Sequence, residues 1–185
     1  MHPSELQAAI DDAGLTLNAA TVKQAEPLAW FEELLGGLDA RTEVPEIARH
    51  RPDLSNKLHI FDSIGMVLNE DHAHHRCYEV TFALVANEVP FPPRQPFTGK
   101  LSVLGHAIVG RETESELLAR GMKPTESFVH NWTFEGGTFA TSLEFRRLPG
   151  RFGKRSGRHR LVSVSFGLRT PEHLAAIERE RLRDI

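Results

Sequence analysis

The strongest restriction on the fold is a period-two alternation of apolar and polar side chains in the middle of the chain. In "CYEVTFALVA", residues 77–86, the side chains that share one face of an extended segment are apolar or aromatic, namely Tyr78, Val80, Phe82 and Leu84. Glu79 and Thr81 lie on the opposite face. The preceding "LHIFDSIGMVL", residues 58–68, is equally rich in β-branched and aromatic residues. The two segments predict neighbouring strands.

The segments that follow predict further strands joined by turns. "NEVPFPPRQP", residues 87–96, holds four prolines and predicts an exposed loop, because proline cannot donate to a sheet. We expect two short strands around Gly105, then a hairpin that turns at Gly136 and Gly137. "RHRLVSVSFGLRT", residues 158–170, predicts a final strand.

Helical spacing occurs near both ends of the chain and once in the middle. Helices are predicted in residues 3–14, 26–37 and 171–185, and Thr113 begins a capped helix that ends at Gly121. Residues 38–56 predict an irregular connection. The fold class is therefore α+β, a mainly antiparallel sheet of meander and hairpins flanked by short N-terminal, middle and C-terminal helices. We expect one domain over 1–185, with 1–56 as a helical subdomain packed on a sheet-rich part, 57–185.

The composition is typical of a folded protein that has no disulfide crosslink within the chain. Hydrophobic residues make up 40% and charged residues 25% of the 185, which is typical of globular chains. Cys77 is the single cysteine, so no intrachain disulfide can form. No cationic segment precedes an apolar run at the N-terminus, and no apolar run approaches the length of a membrane span. We expect a cytoplasmic protein that makes no membrane contact.

Charge is unevenly distributed along the chain. The formal net charge is −3, but residues 146–160, "RRLPGRFGKRSGRHR", contain arginines and one lysine and no acidic residue. A concentrated field of this kind steers association with a charged partner. Phosphate binding is one interpretation of the segment, and a solvated loop is the other.

The stretch "HAHHRC" poses the question of a metal site. His72, His74, His75 and Cys77 lie within six residues, but they show no established ligand spacing and are predicted in a turn between strands. We therefore predict a polar turn, with a metal site that uses His72 and His74 as the alternative. GxSxG, P-loop and GxGxxG motifs are absent from the sequence. The expectation is a protein without catalytic residues, metal or cofactor.

The middle of the chain resembles bacterial immunity proteins that neutralise toxins of type VI secretion and other polymorphic toxin systems. The pattern is a strand that ends in Asp-x-x-Gly-aliphatic, a second strand, and a later Phe-x-Gly-x-Leu. The matching positions are Asp62, Gly65 and Met66, followed by Phe97, Gly99 and Leu101. The resemblance covers about residues 58–110, with a weaker similarity in "LAWFEELLGG". It implies a protein that acts by occupying another protein, here a toxin that acts in the cytoplasm, with a nuclease as the expected class.

Two surfaces are candidates for the interface with such a toxin. Blocking a cationic nuclease cleft would favour the acidic residues around the second predicted helix, which are Glu26, Glu32, Glu33 and Asp39. The two loops that a sheet does not require supply the other anchors, Phe91, Arg94, Arg151 and Arg155. The alternative function is a nucleic-acid-binding accessory protein that uses the basic hairpin 146–160, although it lacks a recognition helix or an aromatic stacking platform. Oligomeric state is left open.

Overall fold

Two β-sheets make up most of the chain in the computed structural model, which describes residues 5–38, 40–45, 56–71, 74–136, 138–149 and 155–169. The strands are β1 (Gln7–Asp11), β2 (Gly14–Leu17), β3 (Ala20–Val22), β4 (Arg41–Glu43), β5 (Lys57–Phe61), β6 (Met66–Asp71), β7 (Arg76–Ala83), β8 (Lys100–Val103), β9 (His106–Ile108), β10 (Glu126–Phe128), β11 (Asn131–Glu135), β12 (Phe139–Pro149) and β13 (Arg155–Leu168). The helices are α1 (Leu28–Leu34) and α2 (Glu114–Ala119).

The two sheets differ in size and in strand direction. The larger has the order β10-β11-β12-β13-β7-β6-β5-β4 and is antiparallel throughout. The smaller has the order β3-β2-β1-β8-β9, in which β1 and β8 run parallel. Their inner faces share one buried apolar cluster, with Ile10 and Val103 from the smaller sheet and Phe61, Phe82 and Phe166 from the larger. Burial of each large side chain stabilises the fold by about 1.5–3 kcal/mol.

The helices are shorter and fewer than the sequence predicted. α1 lies within the predicted segment, and α2 begins with the predicted cap: Thr113 accepts from the Glu116 amide while the Glu116 side chain accepts from the Thr113 amide. The described part of the chain is therefore mainly β, and α+β holds only in its broad sense. The predicted C-terminal helix, 171–185, lies outside the described residues.

The helix predicted over residues 3–14 is wrong, because Gln7–Asp11 forms strand β1. Leu6 and Ile10 are four residues apart, which fits a helix, but Leu6, Ala8 and Ile10 are all buried and follow the period of a strand. β1 pairs with β8, and β4 pairs with β5. Among the described residues of 1–56, α1 is the only α-helix. The strands of 1–56 belong to both sheets, so the described part of this segment does not form the helical subdomain that was predicted. Whether 1–185 is a single domain stays a prediction.

The middle of the chain is β-structure as predicted, except that residues 58–68, predicted as one strand, form two strands joined by a turn at residues 62–65. β5, β6 and β7 form a meander, and β8 and β9 flank Gly105. No strand occurs between Leu84 and Gly99, where the proline-rich loop was expected. β11 and β12 form the predicted hairpin, and β13 pairs along it. The predicted irregular connection, 38–56, contains the short strand β4 and otherwise lies partly outside the described residues.

The turn between β5 and β6 is bonded to the proline-rich loop and to the entry of β8. One carboxylate oxygen of Asp62 accepts from the Arg94 amide at 2.9 Å, and the other accepts from Arg41 Nε at 2.9 Å. Phe97 donates its amide to the Ala83 carbonyl, and Ala83 donates to the Gly65 carbonyl. A Cβ atom on Gly65 would lie 2.1 Å from the Phe97 nitrogen, so the turn and the loop meet only because residue 65 is glycine. We call these contacts the Asp62 junction.

We predict that Gly65→Ala destabilises the protein far more than Gly105→Ala does. Both glycines have positive φ, +71° and +78°, so alanine pays a similar backbone cost of about 1–2 kcal/mol at each. Only at Gly65 would the new Cβ overlap backbone atoms, whereas nothing lies within 4 Å of the Cβ position at Gly105. Urea unfolding should show a loss at Gly65 larger by at least about 2 kcal/mol, or a chain that does not fold. Equal losses would contradict the close contact.

Candidate partner-binding surface

The hairpin of β10 and β11 presents apolar side chains to solvent at one end of the larger sheet. Phe128 pairs with Asn131 across the turn, and Phe128 and Val129 are 80% and 73% exposed. Val129 and His130 both have positive φ, 36° and 64°, as in a type I′ turn. Such turns favour asparagine and glycine, and a β-branched residue with positive φ costs about 1–3 kcal/mol. The sequence contains no Asn-Gly signal here, so this turn was not predicted.

His130 connects the hairpin turn to β13 and α2. Its ring stacks on that of His159 with centroids 3.4 Å apart, and its Nδ1 lies 3.1 Å from Glu114 Oε1. Partial burial lowers the pKa of His159, and the nearby His130 and Arg147 lower it further, while Glu114 acts in the opposite direction. His159 therefore favours its neutral form more strongly than an isolated histidine does.

The described part of the basic segment forms a ladder of cationic residues on β12 and β13. Arg146 lies opposite Arg160, and Arg147 lies opposite His159. Like charges placed directly opposite destabilise a sheet, but Arg146 is 2.6 Å from a Glu144 oxygen and Arg160 is 3.4 Å from a Glu116 oxygen. Arg147 is exposed, and no carboxylate of a described residue lies within ion-pair distance of it.

A shallow depression lies where the hairpin turn ends beside β12. It has a volume of about 330 Å³ and is lined by Glu88, Val129, His130, Phe145, Arg146, Arg147 and His159. We call this depression, with the adjoining Phe128, the hairpin notch. A second depression of about 510 Å³ lies on the other side of the stacked histidines, and Ser115 and Arg158 are among its lining residues. The surface therefore combines apolar groups, arginines and imidazoles within one region.

The acidic residues predicted to face a nuclease do not form one exposed patch among the described residues. Glu26 accepts from Gln24 and lies 3.9 Å from Arg76, and Glu32 is half-buried. Glu33 is exposed on α1. Asp39 lies outside the described residues. Of these four residues, Glu33 is thus the one that is both described and exposed, and a cation-facing role for the group stays a prediction.

The loop residues predicted as anchors have different surroundings. Phe91 is 37% exposed with a positive φ of 53°, and the side chain of Arg94 is 85% exposed while its Nε lies 3.5 Å from Asp62. The Arg94 amide belongs to the Asp62 junction, so this part of the loop is fixed in place. Arg151 lies outside the described residues, and so does the side chain of Arg155. Partner binding by Phe91 and Arg94 stays a prediction.

A buried polar network, which the sequence did not reveal, lies on β4, β5 and β6. His59 Nε2 is 2.6 Å from Glu70 Oε2, and its Nδ1 is 3.0 Å from the Thr42 hydroxyl. The other Glu70 oxygen lies 3.1 Å from His75 Nδ1 and 3.5 Å from Lys57 Nζ. Each histidine and carboxylate looked isolated in the sequence, and only the strand register brings them together.

The histidine-rich turn gives no metal cluster in the described part of the chain. His74 bonds to Asp71, and His75 bonds to Glu70. No group of three or more metal-ligating side chains occurs among the described residues. His72 lies outside them, so the alternative with His72 and His74 stays untested.

Burial also raises the pKa of the two ionisable side chains at the start of β7, Cys77 and Tyr78. Burial raises the pKa of Cys77 to about 12, and the charges of Glu70 and Glu32 contribute to the increase. Burial likewise raises the pKa of Tyr78 to about 12, with Glu79 and Asp71 adding to it and a hydrogen bond from Asn56 opposing it. The thiol is therefore protonated and shielded, as in a packed side chain rather than a nucleophile.

One comparison with known proteins gives a family. A domain of unknown function, DUF7738, matches residues 7–118. The chain belongs to this family. The match covers β1 to β9 and α1 and continues into α2, and it includes every residue of the Asp62 junction. No curated protein and no solved structure matches the chain.

The family match ends before the hairpin notch. Apart from Glu88, the residues that line the notch lie between Val129 and His159, beyond residue 118. Among the described residues, no helix is long and apolar enough to cross a membrane.

We predict that Glu70→Gln lowers the free energy of unfolding by about 2–3 kcal/mol at pH 7, because it leaves a buried histidine without its carboxylate. Burial raises the pKa of Glu70, but hydrogen bonds from His59 and His75 and the charges of His59 and Lys57 lower it below 4.5 overall. The contribution of the charged carboxylate is therefore present above pH 4.5 and is lost as the pH falls through the lowered native pKa.

The difference between wild type and Glu70→Gln should accordingly narrow below pH 4.5, as measured by urea unfolding at a series of pH values. The exposed Glu33→Gln serves as a control and should change the free energy of unfolding at pH 7 by less than about 0.5 kcal/mol. A difference for Glu70→Gln that stays constant down to pH 3 would show that its charge does not stabilise the fold.

Proposed function

We propose that this protein acts by binding another protein, and that it is an immunity protein that neutralises a cognate toxin in the cytoplasm. The observation that carries the proposal is the solvent exposure of Phe128 and Val129 on a turn with positive φ, beside the arginines of β12. Exposed aromatic and apolar side chains next to arginine are typical of protein interfaces. A strained turn that orients such side chains is consistent with a binding role.

The resemblance to immunity proteins supports the specific form of the proposal. Its pattern residues Asp62, Gly65, Phe97 and Gly99 belong to the contacts between the β5–β6 turn, the proline-rich loop and the start of β8. The resemblance therefore concerns the scaffold, and the residues that recognise a particular toxin are expected outside it. The hairpin notch meets this expectation, since most of it follows residue 118.

An inhibitor can block the cleft of a nuclease, or it can displace another element or subunit that the toxin needs, and the described residues favour the second mechanism. A cleft that holds nucleic acid is cationic, and an inhibitor that fills it would present a dense acidic surface. Glu26 and Glu32 are engaged or half-buried, whereas the cation Arg147 is exposed beside the apolar turn. We propose that the protein binds another element of the toxin and displaces or immobilises it.

Co-expression with the product of the adjacent gene tests the proposal. We expect a complex that survives co-purification and size-exclusion chromatography, and we expect this protein to relieve growth arrest caused by the gene product alone. A catalytically inactive toxin variant should form the same complex, because no chemistry is required. Absence of both a complex and relief of toxicity would contradict the proposed function.

A second candidate function is nucleic-acid binding by the basic strands. The observation in its favour is the ladder of Arg146, Arg147, His159 and Arg160 on adjacent strands. Phosphate contacts would make the affinity for a labelled DNA or RNA fall steeply between about 50 and 200 mM salt. Arg147→Ala/Arg158→Ala should then reduce the salt slope. No binding by the wild type at low salt would eliminate this candidate.

A further inference from the structure

We propose that the hairpin notch is the docking site for a segment of the partner protein that carries a carboxylate next to an apolar side chain. The inference rests on the proposed function and adds the surface and the chemistry of the partner. Three properties of the notch support it: apolar side chains held in a defined direction, an exposed arginine that pairs with no carboxylate of the described residues, and interspersed acidic groups.

The apolar half of the notch consists of Val129, which lines the depression, and Phe128, the residue before it in the hairpin. Both are mostly exposed, at 80% and 73%, although the same strand pair buries Trp132 to 2% and Phe134 to 6%. Val129 lies in the turn with positive φ, and its neighbour His130 is fixed by the ring stack on His159 and by Glu114. Side chains on such a fixed turn lose little conformational entropy when they bind, so they suit an anchor contact.

The cationic half of the notch is formed by Arg146 and Arg147. Arg146 is held by two contacts to Glu144, at 2.7 Å and 2.6 Å, so its charge is already matched. Arg147 lies on the neighbouring position of β12, is exposed, and has no carboxylate of a described residue within ion-pair distance. A guanidinium in this situation pairs with a carboxylate in bidentate geometry. The complementary group on the partner is therefore aspartate or glutamate.

The surrounding charges favour a protein segment over nucleic acid. Glu88 lines the notch, Glu114 lies behind His130, and Glu126 is exposed on β10. A phosphate backbone that follows β12 would be repelled by these carboxylates. It would also leave Phe128 and Val129 without an apolar contact, except where a base stacks on Phe128. A single carboxylate beside a leucine or an aromatic side chain instead meets one arginine and one apolar contact at the same time. The chemistry of the notch is thus that of an acidic and apolar peptide segment.

The first arm of the test measures affinity for the adjacent gene's product by isothermal titration calorimetry. Val129→Asn should weaken binding by about tenfold or more while stabilising the free protein, because asparagine tolerates positive φ and carries no apolar surface. Arg147→Glu should weaken binding to a similar or larger extent. The controls Val109→Asn and Lys123→Glu remove another exposed valine, 83% exposed, and another exposed cation, and they should leave affinity unchanged. Loss of affinity in the controls but not at Val129 or Arg147 would overturn the inference.

The second arm uses short synthetic probes and does not need the toxin. A blocked glycine and serine peptide that carries one glutamate next to one leucine should shift the amide NMR signals of Phe128–Asn131 and Phe145–Arg147 in the wild type but not in Arg147→Glu. A lysine and leucine peptide and a thymidine oligonucleotide should not. Shifts by the oligonucleotide alone, or shifts confined to other surfaces, would overturn the inference and favour a phosphate ligand.

The two arms separate the inference from the proposed function. The adjacent gene's product could fail to bind and keep its toxicity while the acidic peptide binds at the notch. In that case the immunity function is wrong and the docking site stands. If the gene product binds and is neutralised, but the variants at Val129 and Arg147 bind as well as the wild type does, the function stands and the docking site is wrong.

Discussion

The close contact between the β5–β6 turn and the proline-rich loop is the constraint on which the rest of the structure depends. Asp62 receives hydrogen bonds from Arg41 on β4 and from the amide of Arg94, while Gly65 leaves room for the backbone at Phe97. Through the proline-rich loop the chain passes from β7 of the larger sheet to β8 of the smaller sheet, where β8 pairs parallel with β1. A partly buried carboxylate that accepts hydrogen bonds from two separate segments fixes their relative position more tightly than apolar packing alone.

The sequence predicted secondary structure correctly where the spacing of apolar residues fitted only one type of element. The prediction failed where the spacing fitted both a helix and a strand. Strands β7, β8 and β9 and the capped start of α2 were predicted because alternation, glycine turns and Thr113 all agree locally. The apolar residues before Gly14 fit the period of a helix and the period of a strand, and the segment is a strand because it pairs with β8. The His59–Glu70 pair depends on strand register, which no local pattern contains. The same reason hid the stacking of His130 on His159, which are distant in sequence.

The segment that builds the core and the proposed docking site are separate along this chain. The family match and the resemblance to immunity proteins both fall on the segment that builds the core and the Asp62 junction. The exposed apolar turn and Arg147 come later, on strands that extend the larger sheet. A buried network such as Thr42–His59–Glu70 stabilises the sheet edge where it lies, and its groups are satisfied by one another. The surface with unmatched apolar and cationic groups is therefore the one we assign to a partner.

Hydrogen–deuterium exchange on the complex with the adjacent gene's product tests this assignment most directly. The account predicts slower exchange in the complex for the amides of residues 126–131 and 145–148, and unchanged exchange for the already bonded amides of Gly65 and Phe97. Protection confined to α1 and the proline-rich loop, with none at the hairpin turn, would contradict it.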